Sequence, residues 1–397
     1  MGPLGEIQLL MKAFMFCGIA LVTTSFAGAK GGDFSEDLEN SSIFDEIDTD
    51  DLGGGKSLNF GVDFSADGDF LISDDINVQR YSGSLGLEFW DTTLGLSYRR
   101  VNYDLDVTGE AVNPVNRTET TDLVSLTVGQ KWNDHFSSSL ALSGYEGFTS
   151  HRSIWITETF DQRSRGAPGF READPFGFSV GLTQVFTLPN DFDTISWNIG
   201  YSRDRIAPGQ SVSFDPLTGF FGVLPTEDTL ETFFTSLTGN FYLTNKVTSQ
   251  WFVRASQVTD RELRTQLRLN TAWNIGRGLT LRGEVGATFE QPDFDSYYGG
   301  LTLSYQLLDS LSASVGYRVY SDSGEITTSN FNSSAPEFDS TEILASLLWA
   351  NGAHSASLSV AFLQTEFGEI NLASERFEAL FSDRNFFAVR AAYSVEF

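Results

Sequence analysis

The feature that most constrains this chain is an alternation of period two that runs from Lys56 to the last residue. In the stretch 279–289, Leu279, Leu281, Gly283, Val285, Ala287 and Phe289 alternate with Thr280, Arg282, Glu284, Gly286 and Thr288. Strict alternation over that length describes a β-strand with one apolar and one polar face. The same pattern recurs in Leu85/Leu87/Phe89, Val124/Leu126/Val128, Phe176/Phe178/Val180/Leu182, Ile195/Trp197/Ile199/Tyr201, Leu263/Leu267/Leu269/Trp273, Leu301/Leu303/Tyr305 and Ala356/Leu358/Val360/Phe362. There are about 16 such runs of roughly 9–13 residues, the length with which a tilted strand crosses a bilayer. Beyond the first thirty residues no apolar run reaches the 18 or so that a membrane helix needs, so a polytopic helical membrane protein is excluded.

The connections alternate as well. Short ones fall at Asp91-Thr92, Asn133–His135, Pro189–Thr194, Thr244–Lys246, Asn274–Gly278, Leu308–Ser310 and Asn351-Gly352. Longer ones are expected at Ala66–Ile76, Thr108–Thr121, Glu146–Pro175, Ile206–Asp228, Ser321–Ser340 and Phe367–Asp383, with two short members of that side near Thr259–Glu262 and Gln291–Ser296. Aromatic residues gather at strand ends: Trp132, Phe186, Trp197, Trp273, Tyr305 and Trp349 by the short turns, and Tyr103, Phe176, Phe289 and Tyr297 by the longer loops. Short turns on one rim, long loops on the other and two aromatic girdles describe a barrel in a bilayer. The terminal strand, Phe387, Val389, Ala391, Tyr393, Val395 and Phe397, alternates to the end of the chain.

Composition agrees. Of 397 residues 20% are charged, acids outnumber bases 53 to 25, and the net charge is -28, which disfavours a nucleic-acid partner. The lone Cys17 precludes a disulfide or thiolate-metal framework. Residues 11–29 read as an export signal: Met11-Lys12, the apolar run Ala13–Val22 and a small-residue site with cleavage expected after Ala29. Residues 1–10 read as an upstream start. Residues 30–55 form an acidic leader without an arginine or a further lysine beyond Lys30; its acids lack calcium-loop spacing and no metal is expected there.

The barrel region, 56–397, resembles a bacterial outer-membrane porin of about sixteen strands, general-porin-like or of a related β-barrel porin family. The fold class expected is all-β: a transmembrane antiparallel up-and-down barrel with short periplasmic turns and long extracellular loops. The resemblance implies outer-membrane location, contact with lipid and lipopolysaccharide, and passive flux of small hydrophilic solutes. It also implies that Tyr393, Val395 and Phe397 are read by the barrel-assembly machinery, and that a homotrimer is the assembly to look for. No cofactor is expected.

With the apolar face toward lipid, the alternate residues line the interior: Ser125, Thr127, Lys131, Asn198, Ser202, Thr238, Asn240, Thr302, Ser304, Gln306 and Ser394. Five arginines, Arg254, Arg264, Arg268, Arg282 and Arg318, share that parity in one sector, with Arg390 also inward and Arg100 expected at similar height on an early strand. Such a ladder would set the anion–cation balance of a pore; equally, Glu284, Glu342 and Glu396 could pair with it and hold the wall. The loop Glu146–Pro175 carries Arg152, Glu158, Asp161, Arg163, Arg165 and Arg171 and is the third long loop, the one that constricts porins of the resembled class; a plain surface loop is the equal alternative. The other loops give an acidic rim: Asp67, Asp69, Asp74, Asp75, Glu227, Asp228, Glu337 and Asp339. Enzyme chemistry is not expected: His135 and His354 fall in turns and His151 in the long loop, none beside a nucleophile and a carboxylate. The competing function is a structural or export barrel, a polysaccharide conduit or an anchor for a partner protein.

Overall fold

The computed structural model describes residues 60–107, 115–149, 151–164, 170, 173–190, 192–206, 210–214, 221–225, 228–259, 262–290, 294–324, 336–369 and 381–396. The signal and leader segments, Arg165, Arg171 and Phe397 lie outside them. The strands are β1 (Phe60–Ile72), β2 (Ile76–Phe89), β3 (Thr92–Val107), β4 (Val115–Asn133), β5 (Phe136–Glu146), β6 (Phe176–Thr187), β7 (Thr194–Ile206), β8 (Gln210–Phe214), β9 (Phe221–Pro225), β10 (Asp228–Thr244), β11 (Val247–Val258), β12 (Leu263–Gly276), β13 (Leu279–Glu290), β14 (Phe294–Leu308), β15 (Leu311–Asp322), β16 (Phe338–Asn351), β17 (His354–Phe367) and β18 (Arg384–Glu396). Among the described residues one helix, α1 (His151–Ser164), sits between β5 and β6.

Sixteen of these strands close into one antiparallel barrel, each paired with its sequence neighbours. β7 pairs directly with β10, and β8 with β9 forms a separate hairpin in the intervening connection. The barrel closes where β1 meets β18, in register from Asp63↔Glu396 to Ile72↔Phe387. Closure leaves no edge strand, so the backbone groups along each barrel strand find partners on both sides in the sheet.

The two faces follow the alternation. Val285, Leu301, Leu303, Val315, Ile343, Leu358 and Phe362 are exposed on the outside, forming the apolar belt. Trp132, Phe186, Trp197, Trp273, Tyr305 and Trp349 are exposed at its short-turn rim, and Tyr297 near the opposite rim. Tyr103 departs from the expected girdle: it faces inward, 2% exposed, and its hydroxyl donates to the Thr149 carbonyl at 2.9 Å. Among the described residues no helix is long and apolar enough to cross a membrane.

The short turns are built tightly. Arg277 and Gly278 link β12 to β13 with φ of 57° and 77°, the left-handed pair of a two-residue hairpin turn whose twist suits the flanking strands. On the other rim, two of the expected loops are partly strand. Ala66–Ile72 belongs to β1, because Asp67 and Asp69 point inward and meet Arg390 at 3.8 Å and Arg80 at 3.5 Å rather than water. Likewise β4 begins at Val115, so β3 and β4 continue paired up to Val107↔Val115. At 16 and 19 residues, they exceed the roughly 9–11 that span a bilayer, and their upper ends stand clear of the belt.

Candidate functional site: the inner wall and its helix

The connection between β5 and β6 turns back into the barrel. Ile154 and Trp155 of α1 are buried against Ile76 and Val78 of β2, Val101, Tyr103, Leu105 and Val107 of β3, Val115 of β4 and Phe386 of β18, with Leu71 and Leu363 packed at the edge. All these partners carry inward parity, so α1 lies against the inner wall near the long-loop end. It thereby covers the sector where β1 and β18 close the barrel.

The helix presents Ile154, Trp155, Glu158 and Asp161 on one face, the i, i+1, i+4, i+7 spacing that aligns side chains along a helix. Glu158 and Asp161 are 3% and 1% exposed. Arg117, inward on β4, donates to Glu158 at 2.8 Å and lies 3.5 Å from Asp161; it also binds Glu119 at 2.6 Å and sits over the Phe148 ring at 5.3 Å. Two of the expected loop charges therefore anchor the helix to the wall instead of facing a passage. At the seam, Arg384 of β18 binds Asp75 of the β1–β2 link at 2.8 Å, and its guanidinium stands 5.8 Å from the Trp155 ring. Asp75 is thus a clasp residue, not part of a solvated acidic rim. Arg152 and Arg163 lie on α1.

The arginines of the expected ladder take inward parity on β11, β12, β13 and β15, but their surroundings differ. Arg264 is bound to Glu290 at 2.7 Å and sits over Phe294 at 5.1 Å, near the upper end. Arg318 is ion-paired with Glu284, and Glu342 stands opposite it in register. Arg254 lies over the Phe234 ring at 4.5 Å. Arg268 lies over Phe252 at 5.2 Å, and both it and Arg282 are exposed within the barrel. Charge therefore both braces the wall and faces open interior.

Arg100 does not belong to this set. Its register partner Tyr81 is exposed on the outside, and its ion pair with Asp122 (2.8 Å), completed by the Tyr98 hydroxyl at 2.6 Å, is on the outer face at the upper edge of the belt. The inward arginine of that turn of strand is Arg99, opposite Ser82 and Leu123. The parity of β3 was obscured because Arg99-Arg100 puts one guanidinium on each face.

Sequence reasoning missed Arg117, which binds Glu158 of the helix, and Arg384, which stands over its Trp155 ring and binds Asp75. Their partners are 41 and 309 positions away, and only the fold brings them together. It also missed a ladder of carboxamides on the inner wall: Gln250 donates to Asn240 at 2.9 Å, Asn270 to Gln250 at 3.2 Å, and Asn240 to Thr194 at 3.1 Å. His354 opens β17 and is not in a turn; its Nδ1 is 2.7 Å from the Tyr393 hydroxyl. Val395 faces Phe64 of β1 and His354 of β17. Among the described residues no cluster of His, Cys, Asp and Glu is arranged to hold a metal ion.

No protein-family model matches this sequence, and no curated protein does so significantly. The fold recurs among solved outer-membrane barrels. CdiB from Acinetobacter baumannii superposes with a TM-score of 0.51 at 7% identity, over 85% of this chain and 60% of that one. A bacterial polysaccharide outer membrane secretin gives 0.49 at 10% identity, over 86% and 100%. OccAB4 of Acinetobacter baumannii gives 0.44 at 8%, over 87% and 100%. Likeness at these identities concerns the fold: this protein is a closed, sixteen-stranded antiparallel β-barrel, the fold of solved outer-membrane barrels.

Proposed function

We propose that this protein is a bacterial outer-membrane channel through which small hydrophilic solutes or ions diffuse passively, and that α1 narrows its outer mouth. The observation that carries this reading is the inner wall. Arg268 and Arg282 are exposed inside a closed barrel whose interior carries Ser, Thr, Asn, Gln and Arg, a surface that holds water. The large apolar core among the described residues is confined to the contact between α1 and the wall of β1–β4 and β17–β18. The wall of β10–β15, with Arg254, Arg268, Arg282 and the Arg318–Glu284 pair, is then the surface a passing solute meets. In this reading the apolar belt faces lipid, the Arg100–Asp122 pair lies among headgroups of lipid or lipopolysaccharide, and the short turns are periplasmic. Export through the signal at 1–29, assembly through Tyr393, Val395 and Phe397, and a homotrimer complete the proposal.

The test is a planar-bilayer recording of the purified full-length protein with a salt gradient. Steady unitary steps are the expected result, and the sign of the reversal potential reports which wall charges dominate. Silence from folded, heat-modifiable protein would overturn the channel reading in favour of a structural or export barrel.

A further inference from the structure

The wall around Arg268 has the chemistry of a binding site as well as of a passage. Most arginines whose surroundings were described above have a carboxylate: Arg264 has Glu290, Arg318 has Glu284, Arg80 has Asp69 and Arg390 has Asp67. Among the described residues no carboxylate pairs with Arg268, which is exposed in the interior and rests on the Phe252 ring. It stands eight positions from Gly276, the short-turn end of β12 (276 to 268), a strand of 14 residues. With five positions to Leu263 at the other end, it stands near the middle of the strand. Its register neighbours are Phe252 on β11 and Gly286 on β13.

Gly286 is required there by close approach. A Cβ at this position would occupy the space of Tyr298, whose ring and hydroxyl lie over the glycine. The phenol of Tyr298 thereby lies across Gly286, the register partner of Arg268 on β13. Two residues along β12 from Arg268, toward the short turns, Asn270 joins the carboxamide ladder that runs through Gln250 to Asn240. Asn240 and Gln250 each use one amide N–H in that ladder, and a carboxamide has two. On the other side of Arg268 along the strand is Gln266, in register with Arg254.

A guanidinium fork without a carboxylate, flanked by a phenol and a row of carboxamides, matches a molecule with a carboxylate at one end and hydroxyls along its length. The fork binds the carboxylate with two parallel bonds; the amides exchange bonds with the hydroxyls. We propose that this wall, Arg268 with Tyr298, Asn240, Gln250 and Asn270, is a binding site for small polyhydroxylated carboxylates, the class of sugar acids. The inference rests on the channel reading for its access route and goes beyond it in naming a ligand class.

The experiment uses the full-length protein in a planar bilayer in potassium chloride, with gluconate as probe and glucose as its neutral counterpart. Gluconate is expected to interrupt the current in a saturable way, with glucose at equal concentration far weaker. Arg268→Gln is expected to weaken the gluconate block about tenfold or more, the scale of a lost charged hydrogen-bonded contact, with unchanged heat-modifiability. Arg268→Lys, which keeps the charge without the fork, is expected to fall between. Gluconate block that is equal in wild type and Arg268→Gln would overturn the site while leaving the channel reading intact, as would block by gluconate no stronger than by glucose. If the folded protein passes no current, calorimetric titration of the detergent-solubilised barrel with gluconate decides the site separately: heat that Arg268→Gln abolishes supports it, and no heat from wild type refutes it.

Discussion

At the scale of single residues, the telling positions are those where a charge found a partner that the linear pattern hides. Asp75 reads as a loop acid, yet it holds Arg384 across the seam. Burial raises the Asp75 carboxyl's pKa, but the bonds from Arg384 and Ser73 outweigh this and hold it below the ordinary carboxylate value. A depressed folded pKa contributes stability that is fully present above the unfolded value, about 4, and is lost as pH falls through the folded value. The clasp therefore operates at neutral pH and fails only in acid. Asp75→Asn should cost about 1.5–3 kcal/mol at pH 7, as for a hydrogen bond to a charged group, and should flatten the stability profile below about pH 4. Guanidinium unfolding of the detergent-folded barrel at pH 7 and pH 3 measures both; an acid step of the same size in the variant would contradict the assignment.

At the scale of elements, α1 shows how a helix can be invisible in sequence. Half of its docking face is Glu158 and Asp161, so apolar periodicity does not mark it. The face makes sense only opposite Arg117, which comes from the far side of the connection between β3 and β4. Replacing Arg117 by Met removes its guanidinium from two buried carboxylates, a change worth about 3–5 kcal/mol when a buried pair is broken. The helix should then undock: unitary conductance should rise and become noisy, and deletion of 153–166 should raise it without the noise. Conductance unchanged by both would show that α1 does not narrow the passage. By contrast, the strands were legible because each had to satisfy two solvents, and alternation records that directly. Where a strand continued past the belt, as in upper β4, both faces turned polar and the signal read as loop; in upper β1 only the inner face did so, through Asp67 and Asp69.

At the scale of the whole molecule, the assignment of outside to lipid is itself testable. Val285 is 56% exposed at mid-height of β13, flanked in register by Leu269 and Gly299. If it meets hydrocarbon, Val285→Arg should destabilise the barrel in phospholipid vesicles by about 2–4 kcal/mol, whereas Gln364→Arg near the upper edge should cost about 0–1. Equal, small effects in a reversible folding titration would mean that this face does not meet lipid. The closed register from β1 to β18 also predicts that the two ends of the domain stabilise one another, since neither strand has another partner for that edge.

The sequence by itself determined the architecture. A period of two sustained over 340 residues, with few charges on one parity, admits a closed barrel in a bilayer and little else, because every strand must face lipid on one side and water on the other. It also determined which side most residues take, Arg254, Arg264, Arg268, Arg282 and Arg318 among them. Only the tertiary structure decided which of those arginines are neutralised, that Arg100 faces out, and that the loop after β5 folds in as a helix. Those outcomes depend on strand register and on contacts between residues far apart in the chain, and side-chain alternation carries no record of either.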